Sequence, residues 1–175
     1  MPDSQNGWPA LATTSSKLHT WVIPGRGDDT LIRMRNGSAG FLLAHLALCF
    51  DAKVEVLDEP VLDDWGYAYR PVRGYDSTLS NHASGTAVDL NATDHPLGKV
   101  DTFTDTEVAT IERFLRRYSG CIRWGGDYRG RKDEMHFELD RPLAACEVVA
   151  KQLVDSRRGQ LVLKANPGQR TVIFS

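Results

Sequence analysis

Two short stretches of the chain place histidine and carboxylate side chains where they could hold a metal ion. The first, residues 80–91, reads Ser-Asn-His-Ala-Ser-Gly-Thr-Ala-Val-Asp-Leu-Asn. If Thr86–Leu90 is a strand, Asp89 lies on the face opposite two core-facing apolar residues, because side chains alternate along a strand. The Ser-Gly-Thr break before that strand could return His82 to a position beside Asp89.

The second stretch is Asp133–Leu139, which reads Asp-Glu-Met-His-Phe-Glu-Leu. As a strand it places His136 and Glu138 on one face. Two histidines and one aspartate supply the three protein ligands of a catalytic zinc, whose fourth position stays open for water. We therefore predict one Zn²⁺ per chain, bound by His82, Asp89 and His136. The alternative is two ordinary half-buried strands that each carry a histidine without a metal.

The pattern Ser-x-His-x-x-Gly-x-Ala-x-Asp followed by Asp-x-x-His resembles the zinc D,D-peptidases. That family includes D-alanyl-D-alanine carboxypeptidases and dipeptidases, phage L-alanyl-D-glutamate endopeptidases and the hedgehog signalling domain. The resemblance covers roughly Ser38 to Asp140. Tyr69–Arg73 and Arg123–Tyr128 are similar to segments of the phage endopeptidase branch.

The resemblance implies roles for residues around the metal. Asp133 matches the position of the catalytic acid and base, with the neighbouring Glu134 as its rival. Arg70, in Tyr-Arg-Pro, matches the arginine that stabilises the oxyanion of the tetrahedral intermediate. Arg73 is close enough in sequence to compete for that role, or to bind substrate.

Further candidates surround these positions. Ser80 and Glu138 are expected to support the metal ligands indirectly, Glu138 by orienting an imidazole, although an exposed strand carboxylate is an equal alternative for it. Trp124 and Tyr128 flank a Gly-Gly pair that would let a peptide backbone approach closely, so both are predicted to contact substrate. A tryptophan of the core beside a turn is the alternative for Trp124.

Composition limits the class of protein. The chain has 175 residues, enough for one well-buried domain. Its formal charge of −2 offers no broad basic field for nucleic acid. Its first twenty residues do not form a signal segment, and no apolar run approaches the length of a membrane span. We expect a monomer without membrane insertion, made in a host cytoplasm without a signal peptide and acting on the cell wall after holin-type release.

Three helices can be placed from local signals. Ser38 to about Asp51 is apolar nearly all the way round, so this helix should be central. A capping box opens a second helix at Thr104, which Gly120 should stop. Asp140-Arg-Pro starts a third helix.

The predicted fold class is α+β, with one small antiparallel sheet packed against about three helices and the zinc site in a cleft on the sheet. Residues 1–20 are predicted to form a loosely ordered arm, and residues 21–155 the catalytic domain. Residues 156–175 are expected to form a hairpin around Asn166-Pro-Gly, or to start a linker.

These observations favour an endolysin domain that cuts the L-alanyl–D-glutamate bond of peptidoglycan. A D-alanyl-D-alanine carboxypeptidase or dipeptidase is the first alternative. A non-catalytic, zinc-stabilised binding module is the second alternative, although a candidate base at Asp133 and a candidate oxyanion donor at Arg70 argue against it. The expected partner is the stem peptide of bacterial peptidoglycan.

Overall fold

The computed structural model describes residues 1–57, 61–75 and 77–175. Five strands and five α-helices lie in these ranges. In chain order they are β1 (Leu18–Ile23), β2 (Thr30–Arg35), α1 (Gly37–Lys53), β3 (Ala87–Asp89), α2 (Asp105–Leu115), β4 (Ile122–Trp124), β5 (His136–Leu139), α3 (Leu143–Leu153), α4 (Arg157–Ala165) and α5 (Gln169–Phe174). Short 3₁₀ turns span Asn81–Ser84, Arg116–Tyr118 and Gly125–Asp127.

The strands form two separate antiparallel sheets. β1 and β2 make a hairpin, and β5 lies between β3 and β4 in the order β3-β5-β4. In this second sheet Asp89 of β3 stands directly opposite His136 of β5. The predicted α+β class and single domain are confirmed, but with two small sheets and five helices in the described residues instead of one sheet and about three helices.

Helix α1 is the centre of the core, as its apolar circumference predicts. Every residue from Gly37 to Asp51 is buried, and the helix contacts both sheets and all four other helices. The helix begins at Gly37, one residue before the predicted Ser38. At Gly40 an added Cβ would lie 1.8 Å from the carbonyl oxygen of Arg35, so only glycine allows α1 to pack this closely on β2.

Helix α2 begins with the predicted capping box. The Thr104 hydroxyl accepts a hydrogen bond from the Glu107 backbone, and the Glu107 carboxylate accepts one from the Thr104 backbone. The α-helix ends at Leu115, before the predicted stop at Gly120, and the following 3₁₀ turn carries Tyr118 into the core. Gly120, at φ +74°, then reverses the chain.

The prediction of a C-terminal hairpin is wrong. Residues 156–175 contain α4 and α5, and the Asn166-Pro-Gly turn joins these helices instead of two strands. Ser156 caps α4 by accepting a hydrogen bond from the Gly159 backbone at 3.0 Å. The Asn166 side chain bonds both the N–H and the C=O of Val22, each at 2.8 Å. The C-terminal segment is therefore held by the packing of α4 and α5 on α1 and by the Asn166 amide, and not by strand pairing.

The N-terminal arm, defined as residues 1–17, is not loosely ordered as predicted. Trp8, Ala10 and Leu11 are buried, and the Leu11 N–H donates to the carbonyl oxygen of Ala83 at 2.8 Å. The arm has no strand or helix periodicity, which is why the sequence did not reveal its packing. It lies against the segment that carries His82.

The sequence of residues 54–57 (Val-Glu-Val-Leu) and of residues 66–70 predicts a short strand in each segment, and both predictions are wrong. Residues 54–57 and 66–70 have no strand pairing, although Trp65 forms an isolated antiparallel bridge with Asp89. The N–H of each residue donates to the carbonyl oxygen of the other at 2.8 Å. Trp65 thus adds one bridging residue beside β3, at the edge of the second sheet.

Within the described residues, the helices are too short or too polar for any one of them to span a membrane.

Candidate metal centre and its cleft

His82, Asp89 and His136 converge at one buried point. One ligand atom from each of them lies within 4.8 Å of the other two. Asp89 Oδ1 is 3.1 Å from His82 Nε2 and 2.7 Å from His136 Nδ1. Pairing of β3 with β5 accounts for the second distance, because it sets Asp89 opposite His136. In the described part of the chain, this is the single cluster of His, Cys, Asp or Glu side chains that could hold a metal ion.

The His82 imidazole is oriented by its local turn and by one backbone carbonyl. Ser80 caps the 3₁₀ turn, since its Oγ accepts a hydrogen bond from the His82 N–H at 3.3 Å. Gly85, at φ +67°, ends the turn where an added Cβ would lie 2.7 Å from the Arg35 backbone nitrogen. His82 Nδ1 donates to the carbonyl oxygen of Gly66 at 2.6 Å, which leaves Nε2 free towards Asp89.

The His136 imidazole is oriented from the opposite side by Glu138. Nε2 of His136 donates to Glu138 Oε2 at 3.2 Å, which leaves Nδ1 towards Asp89. Glu138 Oε1 in turn accepts hydrogen bonds from Arg123 Nε at 2.9 Å and from the Tyr128 hydroxyl at 2.6 Å. The Glu138 carboxylate is 1% exposed, so the alternative of an exposed strand carboxylate is wrong.

Both buried carboxylates are ionised. Burial opposes the ionisation of Asp89, but the charge of His82 and the hydrogen bond from His136 outweigh it and lower the Asp89 pKa far below its usual range. Burial also opposes the ionisation of Glu138, yet His136, Tyr128 and Arg123 together lower its pKa. Burial acts against a charged His136, but hydrogen bonds to Asp89 and Glu138 raise its pKa to about 10. The group therefore attracts positive charge.

The donor set fits zinc. It offers two imidazole nitrogens and one carboxylate oxygen, and in each imidazole the other nitrogen is held by a protein acceptor. Three protein ligands of this kind, with an open fourth position, are typical of catalytic zinc sites. The residues that would hold the ion are His82, Asp89 and His136.

A cavity of about 860 Å³ opens over the ligand group. Its charged lining is dominated by arginine. The lining arginines and aspartates are Arg70, Arg73, Arg123, Arg129, Arg131, Asp89, Asp127 and Asp133. The excess of cationic side chains favours an anionic ligand.

Asp133 lines this cavity and keeps a free carboxylate oxygen. Its Oδ1 is buried and has no hydrogen-bond partner among the described residues. Burial raises the pKa of Asp133 to about 6. The Asp133 backbone is held by its N–H bond to the Gly125 carbonyl at 3.1 Å. An added Cβ at Gly125 would lie 2.2 Å from the Asp133 carbonyl oxygen, so this approach requires glycine.

The rival carboxylate, Glu134, faces a different part of the molecule. It accepts hydrogen bonds from the backbone N–H groups of Asp101 at 3.0 Å and Thr102 at 2.9 Å. It is not among the residues that line the cavity. Of the two carboxylates, only Asp133 lies in the cavity with the His-Asp-His group, so it is the better candidate for a general base.

Arg70 and Arg73 both reach the cavity, so the structure brings together the two candidate oxyanion donors. The Arg73 side chain is exposed, and Arg70 is half-buried. The positive charge of Arg73 is one of those that lower the pKa of Asp133, which places it electrostatically close to the candidate base. Arg131 Nη2 donates to the Arg73 carbonyl oxygen at 2.8 Å and so connects the two loops that carry cationic side chains.

Of the two aromatic residues predicted to contact substrate, Tyr128 lies in the cavity and Trp124 lies in the core. Tyr128 lines the cavity, where Arg123 lies 5.1 Å from its ring centroid. The prediction that Trp124 contacts substrate is wrong, because Trp124 is buried in the core and absent from the lining. Its indole stacks on Phe137 and donates to the carbonyl oxygen of Glu134 at 2.6 Å.

Three residues near the site were missed by sequence reasoning. Arg123 stands opposite Glu138 in the β4–β5 register, and strand alternation alone could have assigned both to one face. Asn81 donates from Nδ2 to Glu138 Oε2, and Asn6 of the arm contacts Asn81. The sequence carries no local signal for either asparagine contact.

Residues 73–139 match the family model described as D-alanyl-D-alanine carboxypeptidase. The match holds His82, Asp89, Asp133 and His136, and it ends with β5. No curated protein and no solved structure matches the chain.

The peptidase match covers less than half of the chain. It leaves out the N-terminal arm, helix α1 and helices α3 to α5. Together with the His82–Asp89–His136 group, the match supports a metallopeptidase.

Proposed function

We propose that the protein is a zinc-dependent peptidase that hydrolyses the L-alanyl–D-glutamate bond of peptidoglycan stem peptides. The observation that carries the proposal is one juxtaposition. A buried His-Asp-His group with oriented imidazoles shares a cavity with Asp133, whose carboxylate oxygen has no hydrogen-bond partner within the described residues. Zinc in such a site, when bound, would lower the pKa of its bound water to about 7 and polarise the carbonyl group of the substrate.

Asp133 acts as the proton carrier in this proposal. Its carboxylate accepts a proton from the attacking water, whose oxygen forms the new bond to the scissile carbonyl carbon. The same proton then passes to the leaving amine nitrogen as the C–N bond breaks. A raised pKa of about 6 suits both halves of this transfer, because the group must take up a proton and release it near neutral pH.

An arginine of the cavity stabilises the negative charge that develops on the carbonyl oxygen. Arg70 is the residue that the family resemblance favours, and Arg73 lies within the same cavity. Either guanidinium stays charged throughout the reaction, so it supports the transition state without a proton transfer.

The cationic cavity also supports the substrate class. Stem peptides carry free carboxylates, and Arg129 and Arg131 add positive charge beside Asp133. The Asp-x-x-His-Phe-Glu stretch at 133–138 resembles the endopeptidase branch of the family. We further propose that the protein works as a monomer on the bacterial cell wall, after holin-type release from the cytoplasm in which it is made.

A second candidate function is D-alanyl-D-alanine carboxypeptidase. The description of the matched family model favours it. The metal, the base and the oxyanion donor would be the same, and only the bond in the cavity would differ. A cationic cavity can bind a terminal carboxylate as readily as the free carboxylate of D-glutamate.

Digestion of purified cell walls separates the two functions. The endopeptidase should release new amino-terminal D-glutamate, or its amide, with falling turbidity and little free D-alanine. Zinc-stripped protein and the Asp133→Asn variant serve as controls that should release neither. Free D-alanine without new glutamyl amines would establish the carboxypeptidase instead. If the protein binds zinc but hydrolyses neither bond, the result would favour the alternative of a non-catalytic, zinc-stabilised binding module.

A further inference from the structure

The N-terminal arm makes a tight turn against the metal centre. The Ser4 N–H donates to the carbonyl oxygen of Trp8 at 2.8 Å, and the Gly7 N–H donates to that of Ser4 at 2.8 Å. Gly7 has φ +78°, a backbone conformation that glycine adopts at little cost. The turn presents Asn6 to the rest of the chain.

Asn6 contacts each of the three segments that carry a proposed metal ligand. Its backbone N–H donates to Asn81 Oδ1 at 2.8 Å, next to His82. Its Nδ2 donates to Thr86 Oγ1 at 2.9 Å, immediately before β3 with its Asp89. The same Nδ2 donates to the carbonyl oxygen of Leu139 at 2.8 Å, at the end of the strand that begins with His136.

The contact with Asn81 continues to a ligand. Because Asn81 Oδ1 accepts the Asn6 N–H, the Asn81 amide presents its Nδ2 donors to Glu138 Oε2. That oxygen also accepts the hydrogen bond from His136 Nε2 at 3.2 Å. A continuous set of hydrogen bonds thus joins the arm to the imidazole of His136.

We infer that Asn6 is a positioning residue of the metal centre, and that the arm is a working part of the site instead of a loose extension. Asn6 fixes the spacing of three ligand segments that come from distant parts of the chain, and it orients the Asn81 amide beside Glu138. The inference rests on metal binding at the proposed site, but not on which peptide bond is cut. Asn6 lies outside the matched residues 73–139.

The decisive variant is Asn6→Asp in the full-length protein. It keeps Oδ1, which accepts from Ser4 Oγ at 2.7 Å and from the Trp8 N–H at 3.3 Å, and so preserves the turn. It replaces the two Nδ2 donors by an oxygen that faces Thr86 Oγ1 and the Leu139 carbonyl. The matched control is Trp8→Phe, which removes the bond from Trp8 Nε1 to the Arg141 carbonyl oxygen at 3.1 Å, away from the ligands.

Zinc affinity, measured by competition with a chromophoric chelator, should fall about tenfold in Asn6→Asp and stay unchanged in Trp8→Phe. The visible absorption bands of the Co²⁺-loaded protein should shift only in Asn6→Asp, because they report ligand geometry. Circular dichroism of the metal-free proteins checks that each variant folds. If Asn6→Asp does not fold, Asn6→Ala is compared in the same two measurements.

Each outcome has one meaning. A wild-type protein that binds no zinc overturns the proposed function. A wild-type protein that binds zinc, with unchanged affinity and spectrum in the Asn6 variant, overturns only the role of Asn6. Equal losses in the Asn6 variant and in Trp8→Phe also overturn that role, because the arm would then act through general stability.

Discussion

Glu138 Oε2 lies 3.2 Å from Nε2 of His136, two residues away on the same face of β5. The carboxylate is buried and also receives hydrogen bonds from Arg123 and Tyr128. The His136 imidazole is therefore oriented by Glu138, whose carboxylate is itself fixed by hydrogen bonds from Arg123 and Tyr128. Metal sites that depend on such indirect support lose affinity when the support is removed.

Glu138→Gln should weaken zinc binding without removing a ligand. The substitution keeps the size of the side chain but takes away the charge that orients the His136 imidazole. We expect zinc affinity to fall by about 10–100-fold, measured by chelator competition. Glu112→Gln, on the exposed side of α2, is the control and should bind zinc as the wild type does. Wild-type affinity in Glu138→Gln would show that His136 needs no such partner.

His82→Ala and His136→Ala should each abolish stoichiometric zinc binding. Each variant removes one of three protein donors that converge within 4.8 Å. Metal content after dialysis, determined by elemental analysis, should approach zero, while the wild type should hold one zinc per chain. His95→Ala is the control, since His95 hydrogen-bonds Thr102 and Glu55 and not the ligand group. Full occupancy in either ligand variant would place the metal elsewhere.

Asp133→Asn should retain zinc and lose most of its peptidase activity. The change removes the proton acceptor and leaves all three ligands in place. Loss of a general base typically lowers the rate by about 10²–10⁴-fold. Glu134→Gln tests the rival position, where the carboxylate accepts two backbone N–H bonds outside the cavity. Normal turnover in Asp133→Asn with an inactive Glu134→Gln would reverse the assignment.

Arg70→Ala should lower kcat more than it raises KM. An oxyanion donor acts mainly in the transition state, and removing one costs about 10²–10³-fold in rate. Steady-state kinetics on a defined stem peptide measures both constants. Arg73→Ala should mainly raise KM if that residue binds a substrate carboxylate. The opposite pattern in the two variants would assign oxyanion stabilisation to Arg73.

His45 should make the fold sensitive to acid. Its side chain is buried and hydrogen-bonds the Tyr118 hydroxyl at 2.8 Å; burial, followed by the charges of Arg158 and Arg117, lowers the His45 pKa to about 4. The unfolded chain takes up this proton near pH 6.5, whereas the folded chain resists it until about pH 4. This difference in pKa therefore does not affect the free energy of unfolding above about pH 6.5. As the pH falls towards 4, it lowers the free energy of unfolding by about 3 kcal/mol in total.

Urea unfolding at several pH values tests this expectation. The free energy of unfolding of His45→Gln should fall less between pH 6.5 and pH 4 than that of the wild type. Parallel curves for His45→Gln and the wild type would show that His45 is not the group responsible.

Part of the geometry of the candidate metal centre could be predicted from the sequence because it depends on the alternation of side chains along single strands. Strand parity placed Asp89 away from the core-facing residues and put His136 and Glu138 on one face, and the structure has both arrangements. The capping box of α2 and the apolar circumference of α1 were equally local signals. Trp124 shows the limit: residue type suggested a substrate contact, but only the packing against Phe137 shows that the indole belongs to the core.

The remaining features depend on contacts between residues that are distant in the chain. Residues 156–175 were predicted to form a hairpin or to start a linker, but they form helices that pack on α1, and Asn166 bonds to Val22. The arm contains no periodic pattern, so its contact with Asn81, 75 residues away, could not be predicted from the sequence. The sequence by itself determined which side chains could bind a metal. Tertiary structure determined which groups hold those side chains, because hydrogen bonds across more than a hundred residues leave no local pattern.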